Sequence, residues 1–315
     1  GLVPALNVAS AAFCEENEAV MTSTPVYPPF LTAPVNRGRK LQAVPLKRDD
    51  GQWTFDFEAM EAAVTDTTRM LILCNPHNPV GRVYSDEELR ALADFCEKHD
   101  LILCSDEIHC DLILDPELKH RVTATLGDAV AKRTVTLMAP SKTYNVPGLA
   151  CSYAIIEDKQ LRHRFKKAAN GYITEVNTFG YAGCEAAYAH GEPWRLELIE
   201  YLRSNRDYLY AFVKEALPEI TMYPMEATYL AWMDVSKLGL KKPAEHFESH
   251  GVGLSDGTFF GDRNYLRINF GCPRGILEIA LERMVKAVLL FSKSPAATKW
   301  VEDETRFATT VSSGT

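Results

Sequence analysis

The sequence lacks several features that would place it in a specialised class of protein. No apolar run approaches the roughly 18 residues that a membrane-spanning helix needs. Lys and Arg number 34 against 42 Asp and Glu, so no basic excess is available for binding nucleic acid. The eight cysteines form no CxxC pair and no zinc-ligand spacing. We expect no nucleic-acid, membrane or metal partner, and a reduced cytoplasmic protein.

What remains is the composition of an ordinary globular protein. Of the 315 residues, 46% are hydrophobic and 24% are charged, which excludes disordered and fibrous proteins and suits about two domains. The apolar stretch 1–13 has no initiating Met and no basic segment, so it does not resemble a signal peptide. Pro4 indicates the first turn of a helix instead. The chain is therefore predicted to begin inside a domain.

Short apolar runs alternate with helical patterns in the first half of the chain. Residues 69–74, 101–105 and 134–138 are such runs, and they suit strands that are covered on both faces. Ser85, followed by acidic residues, opens a helix that is predicted to end at His99. This order predicts βαβ units and an α/β fold with a mainly parallel sheet.

The second half of the chain follows a different order. Long helices over 175–190 and 194–216 are followed by short strands and shorter helices, which is an α+β pattern. We predict a large domain over residues 1–200 and a smaller C-terminal domain over 201–292. Residues 293–315 are rich in Ser, Thr and Ala, and they are predicted to form a flexible tail.

Polar side chains follow each of the three apolar strands. Asn78, Asp106 and His109, and Lys142 come after the first, second and third strand, respectively. Because ligands bind outside the carboxyl ends of parallel strands, these groups are expected to converge on one cleft. Singly, each has an ordinary explanation: Asn78 as a turn former, Asp106 as a helix cap, and Lys142 as a surface lysine.

In combination, these motifs resemble those of the pyridoxal-phosphate enzymes with the aspartate-aminotransferase fold, fold type I. The nearer resemblance is to the cystathionine β-lyase branch of carbon–sulfur lyases, and it extends from Gly1 to about Phe291. It rests on the motifs NPHNPVGR, SDEIH, APSKTYN, TYLAW and YLRINFGCPR. The resemblance implies pyridoxal 5'-phosphate as cofactor, a homodimer, and a parallel large domain with a smaller α+β domain.

The resemblance also implies roles for the residues around the cofactor ring. Lys142 would carry the cofactor as a Schiff base and take the proton from the substrate Cα. Asp106 would keep the ring nitrogen protonated, because a buried carboxylate favours a cationic partner. Asn78 would donate a hydrogen bond to the ring hydroxyl oxygen. His109 stands where related transaminases have Tyr, and Tyr27 would stack on the ring.

The remaining implied roles concern the phosphate and the substrate. Leu2 and Val3, at the start of the first helix, would hold the phosphate together with Ser141. Many transaminases have a phosphate-binding arginine where this chain has Ala150. Arg267 would grip the substrate α-carboxylate, as a guanidinium fork does.

The implied reaction is β-elimination from cystathionine or another S-substituted cysteine, which gives a thiol, pyruvate and ammonia. Two alternatives stay open: an aminotransferase on the same scaffold, and a regulatory binding protein with a lyase fold. Members of the family also have a further N-terminal segment that reaches the neighbouring subunit's site. The chain as given is therefore expected to retain the cofactor weakly.

Overall fold

A computed structural model describes residues 1–292 and 294–301 of the chain. These residues divide into two compact units, which we call the large and the small unit. The large unit contains residues 1–200 and 225–228, and the small unit contains residues 201–224 and those after 228. Each unit has a sheet of its own, so each is described separately.

The large unit is built on a six-stranded sheet and a separate two-stranded hairpin. Its strands are β1 (Ala19–Thr24), β2 (Lys40–Pro45), β3 (Lys47–Asp49), β4 (Gln52–Thr54), β5 (Thr68–Cys74), β6 (Ile102–Asp106), β7 (Thr134–Met138) and β8 (Tyr153–Ile156). The sheet order is β2-β1-β5-β6-β7-β8, and β3 pairs with β4. All pairs from β2 to β7 are parallel, which confirms the predicted α/β fold.

Helices precede, connect and follow these strands. They are α1 (Leu2–Phe13), α2 (Pro28–Asn36), α3 (Phe57–Ala63), α4 (Asp86–Lys98), α5 (Asp128–Arg133), α6 (Lys159–Ala169) and α7 (Thr178–His190). The next helix, α8 (Glu192–Ala216), begins in the large unit and continues into the small unit. The predicted start of α4 is confirmed, because Ser85 and Glu88 form a capping box. Side chains of α1 and α2 share a buried core with β1, β5 and β7.

The small unit is built on a four-stranded antiparallel sheet. Its further elements are β9 (Thr221–Met222), β10 (Leu230–Asp234), α9 (Pro243–Ser249), β11 (Ser255–Asp256), β12 (Tyr265–Asn269) and α10 (Arg274–Ser292). The strand order is β11-β12-β10-β9, and all three pairs are antiparallel. Leu266, Ile268 and Phe270 are buried, so β12 runs through the core of this unit.

The structure adds elements that the sequence patterns did not predict. The strand β8 pairs antiparallel with β7 and closes one edge of the otherwise parallel sheet. The predicted flexible tail, 293–315, lies mostly outside the described residues. Within it, residues 295–301 are helical, which corrects the prediction for that part. The physical reason is packing: Ala297 is fully buried, and the ring of Trp300 lies 5.4 Å from that of Phe212.

None of the helices in residues 1–292 and 294–301 is long and apolar enough to span a membrane. The same residues contain no group of three or more His, Cys, Asp or Glu side chains placed to hold a metal ion.

Candidate cofactor site

Three parallel strands of the large unit end at the same edge of the sheet. Cys74 of β5 is the register partner of Asp106 of β6, and Asp106 is the partner of Leu137 of β7. The alignment continues beyond the strands, because Asn75 N–H donates to the Asp106 carbonyl at 3.0 Å and Glu107 N–H donates to that of Leu137 at 2.9 Å. The segments that follow these strands therefore leave the sheet side by side.

Asp106 is the last residue of β6, and only 5% of it is exposed. Its Oδ1 accepts a hydrogen bond from the Ile108 N–H at 3.1 Å. Burial raises the pKa of Asp106 to about 7, whereas that hydrogen bond and the charge of Lys142 act in the opposite direction. A carboxylate in such a place is stabilised by a cationic partner, for example a protonated ring nitrogen.

Lys142 lies in the turn that follows β7. Two backbone hydrogen bonds fix this turn: Tyr144 N–H donates to the Pro140 carbonyl at 2.9 Å, and Val146 N–H donates to that of Ser141 at 3.1 Å. Ser141 and Lys142 are both half-buried. The turn therefore holds an amine and a hydroxyl next to the buried acid of β6, where they can serve one ligand.

The loop from Asn75 to Gly81 holds Asn78 in a buried position, with 6% of it exposed. The Asn78 N–H donates to the Cys74 sulfur at 3.4 Å. Gly81 has a φ of +74°, and a Cβ at this position would come within 3.1 Å of Met225 Cβ. Glycine is therefore favoured here both by the backbone conformation and by the close approach of the 225–228 segment.

His77, which sequence reasoning missed, stabilises this loop from inside. Its Nε2 lies 2.8 Å from the Pro25 carbonyl, which can only accept, so Nε2 carries the proton. Its Nδ1 then accepts from the Tyr84 hydroxyl at 2.9 Å. Burial lowers the pKa of His77 to about 4, so the ring is neutral near pH 7. A single histidine in a proline-rich loop was the only signal in the sequence.

An ion pair, also missed, holds the end of the same loop. Arg82 Nη1 lies 2.6 Å from Glu226 Oε1, and Arg82 Nη2 lies 2.7 Å from Glu88 Oε2. The second oxygen of Glu226 accepts from the Val83 N–H at 2.6 Å. Arg82 and Glu226 are each only 7% exposed. The pair thus fastens the loop that carries Asn78 to the start of α4 and to residues 225–228.

His109 and Tyr27 are each placed close to the end of a strand. His109 follows β6, is 3% exposed, and its carbonyl accepts from the Leu112 N–H at 2.9 Å. Tyr27 follows β1, and its carbonyl accepts from the Phe30 N–H at 2.9 Å. The Tyr27 ring is half-buried against the core of the large unit. Contact of either ring with a cofactor stays a prediction.

The start of α1 lies beside the segment that follows Lys142. The Gly1 nitrogen donates to the Ala150 carbonyl at 3.2 Å. Of the next two residues, Leu2 is buried and Val3 is 40% exposed. The first backbone N–H groups of a helix have no partner within the helix and favour anions. This end of α1 is therefore suited to a phosphate, as predicted for Leu2 and Val3.

Arg267 belongs to β12 of the small unit, at a position paired with Trp232 on one side and Ser255 on the other. Its Nη2 donates to the Ser255 hydroxyl at 3.2 Å. Its guanidinium carbon lies 4.7 Å from the centre of the Phe260 ring. These contacts orient the guanidinium fork, and its binding of a substrate carboxylate stays a prediction.

Arg274, to which sequence reasoning gave no role, fastens the start of α10 to α8. Its Nε donates to Asn205 Oδ1 at 2.8 Å, and its Nη2 donates to the Ser204 carbonyl at 2.8 Å. The ring of Tyr208 lies 4.4 Å from its guanidinium carbon. These contacts give Arg274 a structural role.

The sequence model of the family described as aminotransferase class I and II matches residues 1–284. Cystathionine β-lyase PatB of Bacillus subtilis is 39% identical over 297 residues, which cover 92% of this chain and 76% of that protein. The crystal structure of OvoB superimposes with a TM-score of 0.89 at 43% identity, over 91% of this chain and 76% of that one. Cystalysin from Treponema denticola, which contains pyridoxal 5'-phosphate, gives a TM-score of 0.88 at 35% identity, over 91% of this chain and 75% of that one.

The family model and these structural neighbours show a pyridoxal-phosphate enzyme of fold type I. The chain belongs to the aminotransferase class I and II family, and its cofactor is pyridoxal 5'-phosphate. The groups of the large unit fit that cofactor: a buried acid for the ring nitrogen, an amine for the Schiff base, and a helix N-terminus for the phosphate.

Proposed function

We propose that this chain is a carbon–sulfur β-lyase that converts cystathionine, or a related S-substituted cysteine, into a thiol, pyruvate and ammonia. The observation that carries the proposal is the placement of Lys142 and the buried Asp106 at one sheet edge, in a chain that is 39% identical to a cystathionine β-lyase. That edge supplies the acid and the amine that the reaction needs. The similarity favours elimination over transamination.

The two central residues have complementary tasks. When bound, pyridoxal phosphate supplies an electron sink for the pair of electrons left at the substrate Cα. Lys142 would hold the cofactor through its amine, and the same amine would take the Cα proton once the substrate has bound. Asp106 keeps the ring nitrogen protonated, because its buried carboxylate needs a cationic partner. The Cβ–S bond then breaks, and the sulfur leaves as a thiolate.

The other predicted residues hold the cofactor and the substrate in place. We assign Arg267 to the substrate α-carboxylate, and its contacts with Ser255 and Phe260 support this role by orienting the guanidinium. Around the cofactor we assign Asn78 to the ring oxygen, Tyr27 to the ring face, His109 to the ring surroundings, and Leu2, Val3 and Ser141 to the phosphate.

Turnover of cystathionine tests the proposal. With added pyridoxal phosphate and no keto acid, we expect pyruvate and a free thiol to form in equal amounts. Lys142→Ala should abolish both products, because the same amine carries the cofactor and takes the proton. Borohydride reduction followed by peptide mapping should place the pyridoxyl group on Lys142. Consumption of cystathionine that requires an added keto acid and releases no free thiol would instead identify an aminotransferase.

We also propose that the protein is a cytoplasmic homodimer. Large apolar side chains that are exposed on α7 and close to it in the sequence support a dimer, because a partner surface would remove them from water. They are Tyr172, Phe179, Tyr181, Trp194 and Leu196. Each of the eight cysteines is a free thiol, which suits a reducing compartment.

A further inference from the structure

A second acid, Glu107, lies directly after Asp106 and is completely buried. None of the roles proposed above uses it. Its backbone N–H donates to the Leu137 carbonyl at 2.9 Å, so it stands at the same sheet edge as the groups around the cofactor. A completely buried acid is uncommon and requires partners.

Three donors surround the carboxyl group of Glu107. The Ser105 hydroxyl donates to Oε1 at 2.8 Å, and the Thr123 N–H donates to the same oxygen at 3.0 Å. The Nε2 atom of His120 lies 2.7 Å from Oε2. Three donors that converge on the two oxygens favour the ionised carboxylate over the neutral acid.

The charge of the Glu107–His120 pair follows from the other ring nitrogen of His120. Its Nδ1 is buried and has no hydrogen-bond partner among the described residues. A proton on Nδ1 would be a buried N–H donor without an acceptor, which is unfavourable. This geometry favours a neutral His120 that donates from Nε2, and hence one net negative charge on the pair.

We propose that Glu107, held as a carboxylate by neutral His120, is a positioning residue that strengthens the hold of Asp106 on the protonated ring nitrogen of the cofactor. The inference rests on the proposed role of Asp106. A like charge beside an acid disfavours its ionisation, and Glu107 acts on Asp106 in this direction. A proton shared between Asp106 and a ring nitrogen is therefore held more tightly.

The other titratable groups around the two acids do not cancel this effect. Lys142 acts on Asp106 in the opposite direction, but its amine is the group that the cofactor takes up. Burial raises the pKa of the thiols of Cys74, Cys104 and Cys110 well above the ordinary value, so they stay neutral. The negative charge of Glu107 therefore continues to raise the pKa of Asp106 when the cofactor has taken up the amine of Lys142.

Carbon NMR of the aspartate carboxyl groups, in the cofactor-free chain, tests the inference. We expect Glu107→Gln to lower the titration midpoint of Asp106 by about one pH unit, because it removes one charge and keeps the shape. Ser105→Ala is the matched control, because it removes one hydrogen bond to Glu107 but keeps the charge of Glu107. The titration midpoint of Asp106 in this variant should stay near that of the wild type. An unchanged midpoint in Glu107→Gln, or an equal shift in Ser105→Ala, would overturn the inference.

A measurement on the wild-type chain covers the case in which Glu107→Gln does not fold. Nitrogen NMR should show His120 at pH 7 with a proton on Nε2 and none on Nδ1. A doubly protonated ring would make the pair neutral and would overturn the inference. His120→Gln, which keeps a neutral donor, should leave the Asp106 midpoint close to that of the wild type.

The affinity for pyridoxal phosphate is a further measure of the role of Glu107, and it can be determined without any turnover of substrate. Glu107→Gln should weaken the binding of pyridoxal phosphate about tenfold, which is one pH unit expressed as a binding ratio. The NMR midpoints require neither cofactor nor substrate, so a failure to cleave cystathionine would reject the lyase and leave them standing. Normal cleavage with unchanged midpoints and affinity in Glu107→Gln would reject the role of Glu107 alone.

Discussion

At the scale of single residues, burial decides the chemistry of the site. Asp106 would be an ordinary carboxylate in water, yet its place at the end of β6 raises its pKa to about 7. His77 is affected in the opposite sense, because burial lowers its pKa to about 4 and keeps the ring neutral. In both cases the protein favours the uncharged form until a partner compensates for the charge.

The pKa of Asp106 predicts how the stability of the cofactor-free chain depends on pH. Below about pH 4 the carboxyl is neutral in both the folded and the unfolded state, and between pH 4 and 7 it ionises more readily in the unfolded state. The wild type should therefore lose stability relative to Asp106→Asn as the pH rises through this range, by on the order of 4 kcal/mol. Urea unfolding of both proteins at several pH values measures the difference.

A stability difference that stays constant from pH 4 to 8 would contradict this prediction.

Turnover of substrate by the Asp106→Asn variant is a second, separate prediction. Asp106→Asn should lower kcat by on the order of a hundredfold or more, because it removes the charge that stabilises the protonated ring.

At the scale of elements, the strands and the order of the motifs could be predicted from the sequence, but the contacts between distant segments could not. The apolar runs gave β5, β6 and β7 to within one residue at either end, because a buried parallel strand is apolar on both faces. The strand β8 was missed, since only Ile156 of its four residues is buried. The pairing of Arg82 with Glu226, across 144 residues, leaves no local pattern at all.

The ion pair between Arg82 and Glu226 is expected to contribute to the stability of the chain. Arg82→Met should destabilise the chain by about 3 kcal/mol or more, because it leaves Glu226 buried without its cation. The double variant Arg82→Met/Glu226→Gln should recover part of this loss. Denaturant unfolding gives both values, and a double variant less stable than Arg82→Met would show that the pair is not the cause.

At the scale of the whole molecule, the exposed apolar side chains of α7 predict association. Phe179 is 79% exposed and Tyr181 is 60% exposed. We expect the wild type to be a dimer by light scattering and Phe179→Glu/Tyr181→Glu to be a monomer, because a charge cannot be buried without a partner. Leu290→Glu, at an apolar site on α10 that is 76% exposed, is the control and should leave the mass unchanged. A monomeric wild type would contradict the prediction.

The segment Met225–Thr228 determines how the large unit could be expressed by itself. It belongs to the large unit, although the chain on both sides of it belongs to the small one. A truncated product that stops at Glu200 would lack Glu226, so Arg82 would lose this ion-pair partner. The large unit is thus discontinuous along the gene, and its independent expression requires these four residues to be grafted back through a designed linker.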